Sequence, residues 1–158
     1  PNLIKKEENY QELVESISKM KNVVFTNGCF DIIHPGHIHL LTEAASKGDV
    51  LVVGLNSDKS IKNFKSKNRP VCSQNDRAFV LAALSCVDFI IIFDEDTPEE
   101  LIRKIKPDVL VKGSDYDNKY IAGAEFMLEN KKRVELVDLI EHQSTTDLIG
   151  RIKMLDSS

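Results

Sequence analysis

Five short apolar runs, separated by amphipathic segments, constrain the fold of this chain more than any other feature of its sequence. Each run is rich in Val, Ile, Leu or Phe and is almost continuously apolar, which is typical of strands covered on both faces of a sheet. Strands that alternate with helices favour a parallel sheet, because parallel neighbours need a crossover connection. The predicted strands are Val23–Thr26, Val50–Leu55, Phe89–Phe93, Val109–Val111 and Val134–Val137.

The segments between these runs place apolar residues at helical spacing. The predicted helices are 36–47, 74–85, 98–106, 121–130 and 145–155. Ser73 and Ser144 are predicted N-caps, and Thr97 is expected to open a capping box. The polar segments 56–73 and 112–121 are predicted loops. We therefore predict an α/β fold, a Rossmann-like doubly wound parallel sheet of five strands in the order 3-2-1-4-5, with helices on both faces.

Composition narrows the class of protein. The 158 residues suffice for one domain with a sizeable core, and the net charge of −4 argues against nucleic acid bound on a broad basic surface. No apolar run approaches the roughly 20 residues that cross a bilayer, and no secretory leader pattern opens the chain, so we expect no membrane contact. The three cysteines form no CxxC pair. Their odd number suits a reducing compartment, so we expect a cytoplasmic location.

Residues 1–21 are more highly charged than the rest of the chain. Leu13, Val14 and Ile17 nevertheless lie at helical spacing, which predicts a surface helix. We therefore divide the chain into an N-terminal helix or linker, residues 1–21, and one domain, residues 22–158, that contains every predicted strand.

The segment that joins the first strand to the first helix ends in His34-Pro35-Gly36-His37. Two imidazoles therefore lie where a helix start offers unpaired N–H groups and partial positive charge. Pro35 suits the first turn because its missing N–H is not needed there, and Gly36 lets a phosphate approach the backbone. This pattern indicates a polyphosphate site. The alternative is a structural or zinc-binding pair with His39 nearby, although zinc sites usually take four ligands.

Polar clusters follow four of the five predicted strands. Ligands bind outside the carboxyl ends of strands in an open parallel sheet, so these clusters would share one site. Ser144, Thr145 and Thr146 can cap a helix, cradle a phosphate, or do both. Gly113 permits tight backbone geometry beside a flat base, and Asp115 can accept from an amino group. The clusters are Asn27–His37, Asn56–Asp58, Lys112–Tyr116 and His142–Thr146.

Cationic side chains lie before the second predicted helix and in its first turn. Lys65, Lys67 and Arg69 lie on a predicted loop that would overhang the shared site. They form either a solvated basic loop or a set of phosphate ligands. Arg77, near the start of the helix, either binds phosphate or pairs with a neighbouring aspartate.

These motifs, in this order, resemble the cytidylyltransferase-like nucleotidyltransferases, which carry a His-x-Gly-His signature. Within that group the chain is most similar to the heptose 1-phosphate adenylyltransferases, which occur alone or as the carboxyl-terminal half of bifunctional kinase–adenylyltransferases. The likeness runs from residue 22 to residue 153. The matching pieces are Thr26–His37, Asn56–Asp58, Arg69-Pro70, Arg77, Leu81–Leu84, Val87-Asp88, Asp96–Pro98, Pro107–Gly113, Asp115-Tyr116, Ile121–Glu125 and Ser144-Thr145.

The resemblance implies an enzyme that transfers AMP from ATP to a sugar 1-phosphate, expected to be D-glycero-D-manno-heptose 1-phosphate, and releases pyrophosphate for nucleotide-activated heptose synthesis. It implies that His34, His37 and Lys65 are catalytic. The residues it assigns to the nucleotide are Asn27, Gly28, Phe30, Gly36, Lys112, Gly113, Asp115, Ser144, Thr145 and Thr146. Those it assigns to the substrate are Asp31, Asn56, Asp58, Arg69 and Arg77.

The resemblance also implies Mg²⁺ as cofactor, held mainly by the nucleotide phosphates and not by a protein metal site. It leaves open a homodimer or a fusion to a sugar kinase domain. The alternative activities are a cytidylyltransferase acting on glycerol 3-phosphate or a related alcohol phosphate, and an FMN adenylyltransferase. A nucleotide-binding regulatory domain is the alternative outside enzymes. Ser144–Thr146 is closer to the cytidylyltransferase branch, whereas Asn27–Cys29 and Lys112–Tyr116 favour the heptose enzymes.

Overall fold

The computed structural model describes residues 3–5, 10–114 and 120–157, which form one sheet with helices on both faces. The strands are β1 (Leu3–Lys5), β2 (Val23–Gly28), β3 (Val50–Asn56), β4 (Phe89–Phe93), β5 (Val109–Gly113) and β6 (Arg133–Val137). The helices are α1 (Tyr10–Ser18), α2 (Pro35–Ala45), α3 (Asp58–Phe64), α4 (Gln74–Ala82), α5 (Glu99–Ile105), α6 (Ala124–Glu129) and α7 (Thr145–Leu155).

Every strand pair in the described residues is parallel, and the strand order is β1-β4-β3-β2-β5-β6. Strands β2 to β6 take the predicted order 3-2-1-4-5, which confirms the fold class. The short strand β1 was not predicted; it adds an edge beside β4, with Leu3 opposite Phe89. Strand β2 lies centrally between β3 and β5, where the order reverses, so its carboxyl end is the expected ligand-binding edge.

Each face of the sheet has its own core. Helices α2 and α4 cover one face, where Val24, Val53 and Leu81 are buried together. Helices α1 and α5 cover the other face, where Ile17 and Ile102 are fully buried. The helix predicted near the N-terminus therefore packs into this second core, whereas a domain boundary at residue 22 stays a prediction.

Helix α3 lies within the segment predicted as a loop, so that prediction was wrong for its first half. The Ser57 side chain caps the helix by accepting a hydrogen bond from the Ser60 N–H at 3.1 Å. Ile61 is the one apolar side chain that the helix buries. A single buried apolar residue leaves no periodic pattern, which explains why the sequence does not reveal this helix.

The predicted caps had mixed outcomes. The hydroxyls of Ser73 and Ser144 accept from the backbone N–H three residues later, which confirms both as N-caps. The capping box predicted at Thr97 was wrong, because Pro98 is the N-cap residue of α5 and makes no side-chain cap bond. Among the described helices, none has the combination of length and apolar character that a membrane span needs.

Candidate active site

The carboxyl end of β2 leads into the start of α2, where both predicted histidines lie. His34 is the N-cap residue, and its Nδ1 accepts a hydrogen bond from the Gly36 N–H at 3.1 Å. His37 Nδ1 accepts from the backbone N–H of His34 at 3.3 Å. The two rings stack with centroids 3.7 Å apart. The imidazoles thus form a reciprocal capping box, and Pro35 occupies the first helical position as predicted.

These hydrogen bonds determine which ring nitrogen carries the proton. Because Nδ1 is an acceptor in both rings, a neutral ring carries its proton on Nε2. Burial lowers the pKa of His34, and burial with nearby His34 and Lys65 lowers the pKa of His37 to about 4. Both rings are therefore neutral at pH 7 and each has one Nε2–H to donate. A proton added to either Nδ1 would face the backbone N–H that this atom caps, so protonation would cost a capping hydrogen bond.

The start of α7 is joined to the same loop from the far end of the chain. The Thr145 hydroxyl donates a 2.6 Å hydrogen bond to the Asp31 carbonyl. A Cβ at Gly36 would lie only 3.1 Å from the Gln143 carbonyl, so the absence of a side chain lets the two segments approach. The structure therefore brings Ser144, Thr145 and the α2 histidines into one region, as the shared-site hypothesis predicts.

Asp31 fixes the connection between α3 and α4. Its carboxylate accepts from the backbone N–H groups of Val71 at 2.7 Å and Cys72 at 2.9 Å. The guanidinium Nε of Arg69 lies 3.8 Å from the same carboxylate. Asp31 is only 3% exposed, and its carboxylate organises this loop. The contact with substrate that the resemblance implies for Asp31 stays a prediction.

Arg77 ties together three segments beneath the site. Its Nη1 donates to the Cys29 carbonyl at 2.7 Å and the Asn56 carbonyl at 2.8 Å, and its Nε donates to the Cys72 carbonyl at 3.0 Å. Its Nη2 donates to Asp58 Oδ1 at 2.8 Å. The residue is 2% exposed. The guanidinium is therefore engaged by the protein, and direct phosphate binding by Arg77 is not supported.

Asn56 is also held inside the protein. Its Nδ2 donates to the Ser60 hydroxyl at 3.0 Å, and that hydroxyl donates to the Glu95 carbonyl. Of the five residues predicted to bind substrate, three are thus buried members of the scaffold, namely Asp31, Asn56 and Arg77. Asp58 and Arg69 are partly exposed at the rim, where substrate contact stays a prediction.

Lys65 is the C-cap residue of α3 and is exposed. Burial raises the pKa of the Cys29 thiol and lowers that of His37; the Lys65 ammonium opposes the first shift and adds to the second, so it lies close to the loop after β2. Arg69 acts on Cys29 in the same direction. The structure therefore places Lys65 and Arg69 near the loop that carries the histidines, and Lys65 makes no ion pair with the described residues.

The end of β5 contributes Lys112 and Gly113 from the other side of β2. Lys112 Nζ donates to Asn27 Oδ1 at 2.9 Å. A Cβ at Gly113 would lie 2.6 Å from a methyl carbon of Leu139, so the strand end has no room for a side chain there. Asp115, predicted to contact the base, lies outside the described residues.

Sequence reasoning missed the backbone conformation between β2 and α2. Phe30 and Ile32 both have positive φ angles, 48° and 54°, a region that non-glycine residues rarely occupy. The Phe30 ring is buried and lies 5.3 Å from His37, while a Cβ at Gly28 would lie 3.1 Å from it. The Phe30 ring thus packs against the imidazole of His37. No residue type in the sequence marks these positions, because such φ values usually call for glycine.

The sequence model of the cytidylyltransferase-like family matches residues 25–151. The chain belongs to this family. It is 50% identical to the bifunctional protein HldE of Campylobacter fetus subsp. fetus, across 96% of this chain and 34% of the relative. It is also 50% identical to the bifunctional protein HldE of Helicobacter pylori, across 90% of this chain and 30% of the relative. The chain therefore spans about a third of the length of these curated relatives.

Solved structures agree with the family assignment. The lipopolysaccharide core biosynthesis protein of Thermoplasma volcanium is 32% identical with a TM-score of 0.60, across 77% of this chain and 98% of that chain. The pantoate-beta-alanine ligase of Francisella tularensis has a TM-score of 0.64 but only 14% identity, across 99% of this chain and 78% of that chain. The second likeness concerns the fold alone. The family resemblance predicted from the motifs is thereby confirmed.

Proposed function

We propose that this chain is a nucleotidyltransferase that transfers AMP from ATP to D-glycero-D-manno-heptose 1-phosphate and releases pyrophosphate. The observation that carries the proposal is the meeting of two helix starts after β2. One is capped by the neutral rings of His34 and His37, and the other by Ser144. The two Nε2–H groups at the start of α2, together with the start of α7, make a donor set suited to a polyphosphate.

The chemistry needs no general base, because the acceptor phosphate is already an anion. One of its oxygens attacks the α-phosphorus of ATP, and the bond from that phosphorus to the pyrophosphate oxygen breaks on the opposite side. Negative charge develops on the phosphoryl oxygens and the leaving pyrophosphate. We assign stabilisation of that charge to the Nε2–H groups of His34 and His37, the Lys65 ammonium and the start of α7 with Thr145 and Thr146.

Gly28, Gly36 and Gly113 contribute to the proposed nucleotide site by letting the protein segments around it pack closely. Each lies where an added Cβ would meet a neighbouring group within 3.1 Å. Flat or anionic ligands can approach a backbone without side chains closely. A base seated beside Gly113, near Asp115, is the arrangement we propose for the adenine.

Magnesium fits this site as part of the nucleotide complex. In the described part of the chain, no three His, Cys, Asp or Glu side chains converge as ligands for a metal ion. The carboxylate of Asp31 accepts two backbone N–H groups, and that of Asp58 pairs with Arg77. Mg²⁺ retains waters and binds phosphate oxygens readily. We therefore propose that ATP binds as its magnesium complex, which would neutralise part of the triphosphate charge.

Two similarities support a sugar phosphate as the acceptor. The HldE relatives are bifunctional proteins of which this chain matches about a third. The Thermoplasma volcanium relative takes its name from lipopolysaccharide core biosynthesis. A nucleotide-activated heptose would serve such a synthesis. We propose residues 22–158 as the transferase domain, working in the cytoplasm either fused to a sugar kinase domain or as a homodimer.

Pyrophosphate release tests the proposal directly. ATP, CTP and GTP are each paired with heptose 1-phosphate, glucose 1-phosphate, glycerol 3-phosphate and FMN. We expect release chiefly with ATP and heptose 1-phosphate, and loss of that release in His37→Ala as the control for contaminating enzymes. Release only with CTP and glycerol 3-phosphate would identify a cytidylyltransferase, and release only with ATP and FMN would identify an FMN adenylyltransferase. Nucleotide binding without release from any pair would leave a regulatory domain.

A further inference from the structure

Lys112 carries a charge that no ion pair among the described residues balances. The side chain is partly buried at the end of β5, and its Nζ donates to Asn27 Oδ1 at 2.9 Å. An ammonium has three protons to donate, and Asn27 is its one hydrogen-bond partner among the described residues. At least two donor positions therefore remain available for a ligand.

No carboxylate of the described residues forms an ion pair with Lys112. The titratable neighbour that acts on it is Cys29, and burial raises the pKa of that thiol, so it stays neutral at pH 7. Burial lowers the pKa of Lys112, because the charged form loses its hydration. An anion bound at this position would stabilise the charged form of Lys112, because it would supply a negative charge beside the ammonium.

The sheet order places Lys112 on the opposite flank of β2 from the two cationic residues that follow α3. Lys65 and Arg69 follow β3 and α3 on one side, whereas Lys112 ends β5 on the other side. In an in-line displacement the attacking and leaving oxygens lie on opposite sides of the phosphorus. A site with cations on both flanks can therefore hold the leaving pyrophosphate on one side and the attacking phosphate on the other.

We propose that Lys112, oriented by Asn27, binds the phosphate group of the acceptor and forms a phosphate-monoester subsite on the β5 side. This assignment rests on the proposed function for the identity of the acceptor. It moves Lys112 from the nucleotide, where the family resemblance puts it, to the second substrate. Lys112 would thereby position the attacking oxygen and favour phosphorylated acceptors over free sugars.

Binding measured separately for each substrate tests the subsite. Isothermal titration calorimetry is carried out with heptose 1-phosphate and, separately, with the magnesium complex of α,β-methylene-ATP. Lys112→Met and Lys112→Gln remove the charge, and Lys112→Arg retains it. We expect the neutral variants to weaken heptose 1-phosphate binding about tenfold or more, while the ATP analogue changes by less than about threefold and Lys112→Arg retains most of the affinity.

Lys47→Met is the matched control, because Lys47 pairs with Glu135 beyond the far end of α2 and should change neither affinity. Unfolding midpoints establish that the variants are folded, and the second neutral variant decides if one of them is not. An equal or larger loss for the ATP analogue would overturn the proposal, as would unchanged sugar phosphate affinity or no sugar phosphate binding by the wild type. Binding by the wild type without AMP transfer would contradict the proposed function while leaving the subsite supported.

Discussion

The two helix starts that meet at the site are anchored in different ways. Helix α2 buries Leu41 and Ala44 in the core, and its capping imidazoles are held by backbone N–H groups. Helix α7 buries none of its residues and is held at its start by the Ser144 cap and by the Thr145 hydroxyl on Asp31. One half of the phosphate site is therefore part of the core, and the other half is attached to it by a few hydrogen bonds. Substitutions in the two halves should affect stability and activity in different proportions.

The largest effect is expected beneath the α2 half, at Arg77. Arg77→Met removes the donor to the buried Asn56 carbonyl and to the part-buried carbonyls of Cys29 and Cys72. We expect the free energy of unfolding to fall by about 3–5 kcal/mol, as for other buried charged networks that lose one member. Urea unfolding measures this loss.

Arg103→Met is the control for Arg77→Met, since Arg103 makes an exposed ion pair with Glu99 one helical turn away. It should change stability by less than about 0.5 kcal/mol. If Arg77→Met cost less than about 1 kcal/mol, other contacts would have to hold the three segments together. The α2 half would then not depend on Arg77 for its place in the core.

Within the α2 half, His37→Ala should separate activity from stability. The variant loses an Nε2–H donor and one hydrogen bond to the His34 backbone. We expect turnover to fall about 100-fold or more, while nucleotide affinity falls less. Steady-state kinetics of pyrophosphate release measures both. His37→Gln, which retains an N–H donor at similar reach, should recover part of the rate, and turnover near wild type in His37→Ala would remove this ring from the mechanism.

The sequence predicts the buried half of the site better than the short elements around it. Continuous apolar runs identify five of the six described strands, since burial on both faces leaves a clear pattern. The carboxyl-end rule then brings Asn27, His34, Lys112 and Thr145 to one edge. Strand β1 escapes prediction because three residues carry no periodicity, and α3 escapes because it buries a single apolar residue.

Residue roles are harder to predict than residue positions. Asp31, Asn56 and Arg77 lie beside the site as predicted, yet their polar atoms are buried and bonded within the protein. A polar residue after a strand can face the ligand or brace the loop, and sequence patterns do not distinguish the two. The same limit applies to the positive φ values of Phe30 and Ile32, which depend on tertiary packing.

In the α7 half, Thr145→Val should affect ligand binding more than folding. The change keeps the shape of the side chain and removes the hydroxyl that donates to the Asp31 carbonyl at 2.6 Å. We expect KM for ATP to rise about tenfold and the free energy of unfolding to fall by about 1 kcal/mol, because the helix buries no residue in the core. Thr42→Val on the exposed face of α2 is the control and should leave KM unchanged. A loss of stability as large as that of Arg77→Met would show that both halves are equally part of the core.

The smallest effect concerns the pH dependence that His37 gives to the α2 half. Its pKa is about 4 in the folded protein and about 6.5 when unfolded, so below pH 6.5 the unfolded chain binds a proton that the folded chain does not. Stability should therefore fall as the pH falls from 7 to 5. Because the ring is not fully buried, we expect His37 to account for only about 1 kcal/mol of this loss. Urea unfolding at both pH values measures it in the wild type and in His37→Gln, and the acid loss should be smaller in the variant. An equal loss in both proteins would mean that the imidazole is not held neutral by its burial and its cap.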